Sequence, residues 1–107
     1  MKIQLNTDKT VKGGERHQEY FTSEISEKLK IYESHITRIE VHFADENGAK
    51  EGINDVLCTL EARIEGRQPI AVSNKADNME LALSGALHKL KSALEKIMGR
   101  IKKHESW

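Results

Sequence analysis

A second cysteine is missing from this sequence, and two kinds of chemistry are missing with it. One thiol, Cys58, in 107 residues allows no intramolecular disulfide and no thiolate zinc cluster. Also absent is any apolar run near the ~20 residues that a membrane-spanning helix needs. No charged segment followed by an apolar one opens the chain, because Met1–Gly14 alternates and then turns polar. A secretory leader is therefore not expected, and the sequence reads as cytoplasmic with no membrane partner. Net charge is absent too: 17 Lys and Arg stand against 17 Asp and Glu. Bulk basicity, the simplest argument for a polyanion partner, is thereby removed.

Catalytic signatures are missing as well. There is no G-x-S-x-G, no P-loop and no G-x-G-x-x-G. The histidines His17, His35, His42, His88 and His104 form neither H-x-x-x-H nor H-E-x-x-H, and no two of the scattered acids stand out as an acid/base pair. Cys58 falls in an alternating run with Leu60, Ala62 and Ile64, where a cysteine acts as a small hydrophobe rather than a nucleophile. The expectation is no enzyme, no cofactor, no metal and no small-molecule substrate.

What is present is a regular succession of short amphipathic segments. Hydrophobic residues make up 37% and charged residues 32%, which suits one solvated globule; residues 1–104 read as a single domain and 105–107 as a short tail. Lys2–Asn6 alternates as a strand, and Thr7–Gly14 is a polar loop. Phe21, Ile25, Leu29 and Tyr32 fall at steps of four, four and three, predicting a helix from about Glu15 to Tyr32. Thr37–Ala44 alternates again, Asp45–Asn54 is a loop, and Asp55–Glu65 and Pro69–Lys75 form a hairpin turning at Gly66-Arg67-Gln68. Asp77 or Asn78 then caps a helix running to about Lys103, ~39 Å long. The order is β-α-β-β-β-α. Each strand has one apolar face and each helix one apolar stripe. That predicts an α+β fold: a two-layer sandwich, with two helices packed on one face of a four-stranded sheet.

The neutral total hides an uneven distribution. On a 100° wheel, Leu83, Ala86, Leu90, Ala93, Leu94, Ile97 and Ile101 form the core stripe of the last helix. Lys89, Lys96, Arg100 and Lys103 share one flank, with Lys91 and Lys102 on the other. Such a strip offers several cations to the phosphates of a nucleic acid without reading bases. A solvated face whose cations complement the helix dipole has the same pattern. Lys28 and Lys30 widen the patch if the first helix lies alongside, and Lys75 is a further candidate contact. The exposed sheet face carries no aromatic platform for stacking single-stranded bases. A double-stranded-RNA-binding domain is rejected, since its lysine cluster would fall where Asp77-Asn78-Met79-Glu80 stands.

Three stretches resemble the ribosome hibernation-promoting factors, also described as ribosome-associated inhibitor A or sigma-54 modulation proteins. They are Glu27-Lys28-Leu29-Lys30-Ile31-Tyr32-Glu33-Ser34-His35-Ile36; Ala76-Asp77-Asn78-Met79 with Ala82 and Leu83; and His88-Lys89-Leu90 through Leu94 and Lys96. The resemblance spans nearly the whole chain and implies the same β-α-β-β-β-α order. It further implies a partner, the small ribosomal subunit with its 16S rRNA, where the family covers tRNA and mRNA positions, and it matches Lys89 and Lys96 to family basic positions. A homo-oligomer is left open. The alternative is a paralogue that kept the fold as a protein-interaction or self-associating module without ribosome binding.

Overall fold

The computed structural model describes residues 1–7, 14–45 and 56–105, with side chains at 1–6, 18–44 and 56–97. The elements are β1 (Lys2–Thr7), α1 (Gly14–Lys28), a 3-10 turn (Lys30–Tyr32), β2 (Ile36–Asp45), β3 (Val56–Ile64), β4 (Ile70–Ala76) and α2 (Met79–Glu105). The expected loops at 8–13 and 46–55 lie outside the described residues.

The strands form one sheet in the order β1-β2-β3-β4. β1 runs parallel to β2, with Ile3 beside Ile39 and Leu5 beside Val41. β2, β3 and β4 form an antiparallel meander in which Val41 meets Leu60, and Leu60 meets Val72. The parallel pair requires a crossover, which α1 supplies over the β1 side, while α2 follows β4 and packs on β4 and β3. The register is fixed by alternation. Val56, Cys58, Leu60, Ala62 and Ile64 all point inward from β3, and a slip of one residue would expose all five.

The core is continuous between sheet and helices. Phe21 and Ile25 of α1 and Leu29 just after it are fully buried in one core with Ile39, Val41 and Phe43, and the Phe21 and Phe43 rings lie 5.1 Å apart. The first helix ends earlier than its apolar period suggests. After Lys28 the chain tightens, Tyr32 N–H bonding the Leu29 carbonyl at 2.9 Å. That three-residue step keeps Tyr32 on the buried face outside the α-helix. Between β3 and β4, Arg67 N–H bonds the Ile64 carbonyl, and Gly66 takes φ +74°. A turn of this kind needs positive φ at its third residue, which glycine adopts at no steric cost.

Candidate nucleic-acid interface

Asn78, not Asp77, caps α2: the Asn78 side-chain oxygen accepts from Leu81 N–H at 2.8 Å, and its carbonyl accepts from Ala82 N–H at 3.0 Å. Ala82, Leu83, Ala86, Leu87, Leu90 and Leu94 are buried, whereas Ala93 and Ile97 are half-buried. The covered stripe is therefore wider near the N-terminus than the wheel predicts. It includes Ala82 on the β4 side and Leu87 on the other, and its margin is left open further along. Ile101 lies outside the described side chains.

Two flanks border this stripe. The β4 flank carries Ala82, Gly85, Lys89 and Lys96. There the Asn74 side-chain amide reaches the Leu81 and Ala82 carbonyls at 3.5 and 3.3 Å. A Cβ on Gly85 would collide with that amide, so the glycine leaves the room in which the Asn74 side chain lies against α2. Lys89 Nζ donates to the Ser73 carbonyl at 2.8 Å. β4 is an edge strand, and this bond ties the ammonium to its outer backbone. Lys96, two turns on, is exposed on the same flank. The opposite flank carries Glu80, Lys91 and Glu95 and faces α1. Burial raises the Tyr20 and Tyr32 hydroxyl pKa values, with nearby Glu24 and Glu80 adding to the first and Glu95 to the second.

This geometry divides the candidate contacts. Lys89 and Lys96 share one flank of α2, Lys89 at the β4 edge and Lys96 two turns further on. The Arg100 and Lys103 side chains lie outside the described residues, although the helix itself continues through both positions. Lys28 and Lys30 do not widen the strip. The crossover puts α1 on the Lys91 side of α2, with Lys28 following Tyr20 and Glu24 on the flank nearer α2. Lys30 borders a shallow depression with Ser26 and Glu33 on the outer surface. Lys75 is also separate, standing on the open face of the sheet while its neighbours Asn74 and Ala76 turn toward the helices.

The open face neutralises much of its own charge. Arg38 donates to Glu40 and, at 2.7 Å, to Gln4, and Arg63 lies 3.5 Å from Glu61. Directly opposed like charges, Arg38 with Arg63 and Glu40 with Glu61, are thereby offset along each strand. Cys58 is buried, and desolvation pushes its thiol up to about 12, so it is no thiolate at neutral pH. Among the described residues no group of His, Cys, Asp and Glu could hold a metal, and no helix is long and apolar enough to cross a membrane.

The sequence reading missed the shallow groove along α2, about 420 Å3 and lined by His88, Lys89, Ser92, Ala93, Lys96 and Ile97. The helical period alone puts Ala93 and Ile97 in the core stripe, whereas in the structure both are half-buried and line this groove.

The described residues form a small α+β sandwich in which one flank of the last helix carries Lys89 and Lys96 without an acid, and in which the described part of the sheet carries no catalytic set. The chain belongs to the family described as sigma-54 modulation protein / S30EA ribosomal protein, which it matches over residues 6–102; these are non-enzymatic factors. Its fold is that of a ribosomal subunit interface protein from Coxiella burnetii: TM-score 0.75, 18% identity, covering 92% of this chain and 99% of that one. The Thermus thermophilus Protein Y N-terminal domain is also similar, with TM-score 0.71, 10% identity, and 91% and 99% coverage. No curated protein matches the sequence.

Proposed function

We propose that this protein is a ribosome hibernation factor that binds 16S rRNA of the small subunit through the β4-side flank of α2 and covers tRNA and mRNA positions. Family membership supports the ribosomal partner. The observation that carries the site is the exposed pair Lys89 and Lys96 on a flank free of acids from position 82 to 96. The other flank mixes Lys91 with Glu80 and Glu95. Lysines on a rigid helix bind phosphates as point charges and leave sequence unread.

The test is sedimentation with purified small subunits over a salt series. Binding through phosphates makes log affinity fall linearly with log salt, by roughly 0.7–0.9 per phosphate contacted. Reversing Lys89 and Lys96 to Glu abolishes binding with the fold intact by circular dichroism. Reversing Lys91 and Lys102, an equal change in charge, costs much less. Equal losses from the two pairs would mean that only total charge matters. Absence of binding by the unaltered protein at low salt would leave the interaction-module reading in its place.

A further inference from the structure

A flank that served only as a row of phosphate contacts would need no apolar floor, yet this one has it. Lys89 and Lys96 stand about 10.5 Å apart along α2, and between and beneath them Ala93 and Ile97 are half-buried at the margin of the core. The surface of the groove is mostly apolar, bounded by the stems of the two lysines, with Ser92 and His88 exposed beside it. Lys89 Nζ, tied to Ser73 on the sheet side, holds one end of the groove in place and keeps further N–H donors available.

The occupant must be anionic at both ends and apolar in between. From these observations we infer that the groove seats one unpaired nucleotide of the RNA, its base face on Ala93 and Ile97 and its flanking phosphates on Lys89 and Lys96. This rests on the proposal of rRNA binding and deepens it. Duplex RNA does not fit, because an A-form helix turns phosphates and 2′-hydroxyls outward and keeps its base faces stacked inside. An unpaired nucleotide offers a face and two phosphates together. The α2 flank would thus distinguish a bulged or single-stranded nucleotide from a paired one, which charge alone cannot do.

The experiment compares three probes by fluorescence anisotropy at low salt: a short mixed-sequence single-stranded RNA, its abasic analogue with the same phosphates, and a duplex of equal length. The expected order is single strand first, with the abasic strand about fivefold weaker, which is what burying about 40 Å2 of apolar base surface contributes. Ile97→Thr removes that difference and leaves the salt slope unchanged. Lys96→Ala lowers the slope for both strands. The probe comparison is made on the unaltered protein, so it does not depend on any variant folding. Equal binding of intact and abasic strands, no binding of either, or preference for the duplex overturns the inference. So does a loss of subunit binding by Ile97→Thr without any base dependence, which would mark the groove as a protein contact. Each of these can occur while the small subunit still sediments with the protein, so failure of the groove is distinct from failure of the ribosome reading.

Discussion

Leu90 and Lys89 are neighbours in sequence with opposite fates. Leu90 is fully buried between α2 and the sheet, whereas Lys89 is exposed and held by one hydrogen bond. Leu90→Ala is expected to cost about 2–5 kcal/mol through lost burial and the cavity left behind. Lys89→Ala should cost less than about 1 kcal/mol, the net value of a solvent-accessible hydrogen bond. Urea denaturation of both variants checks this, and similar losses would mean that α2 is rotated from the orientation described. Gly85 and Asn74 form a second test. Alanine is ordinarily better than glycine in a helix by about 1 kcal/mol, but at position 85 its methyl would displace the Asn74 amide from the Leu81 and Ala82 carbonyls. Gly85→Ala should therefore destabilise the native protein and become favourable once Asn74 is Ala. A double-mutant cycle reads the coupling directly, and additive effects would show that the close approach is unimportant.

At the scale of elements, most of the architecture was legible because each strand alternates and each helix has one stripe. The order β-α-β-β-β-α and the side on which both helices sit follow from those periods alone. Three features were not legible, each for a physical reason. A final step of three residues, Leu29 to Tyr32, fits either an α-helix or a 3-10 turn, so the period could not show that α1 stops at Lys28. A wheel drawn on α2 alone could not show that Leu87 and Ala82 are both buried, since neighbouring elements set the width of the stripe. The handedness of the β1-α1-β2 crossover decides which flank of α2 meets α1, and that separates Lys28 and Lys30 from Lys89 and Lys96. Charge pattern within a helix predicted the strip, but its combination with other elements depended on topology. Lys75 shows the same limit, because alternation in β4 places it on the far side of the sheet from α2.

For the molecule as a whole, α2 sets the shape: 27 residues in one helix and overall dimensions of 56 × 21 × 20 Å. Global stability should depend on alkaline pH through Cys58. Burial holds the folded thiol at about 12 against an ordinary value of 9.0. Above about pH 9 the unfolded chain loses this proton while the folded one keeps it. The contribution is thus fully present below pH 9 and lost as pH rises toward 12. Urea midpoints measured across that window should fall, and Cys58→Ser should fall less steeply; identical slopes would show that Cys58 takes no part. The placement of β1 has a different consequence. Among the described residues β3 is bonded along both sides, to β2 and β4, but β1 along one side only, to β2. Opening β1 breaks one ladder and exposes the half-buried Ile3 and Leu5, whereas opening β3 dismantles the sheet. Amide hydrogen exchange should accordingly be fast in β1 by local fraying and slowest in β3, whose amides exchange only when the whole chain unfolds. Equal protection in the two strands would mean that the first strand does not open separately from the rest, and that no partly unfolded form lacking it precedes global unfolding.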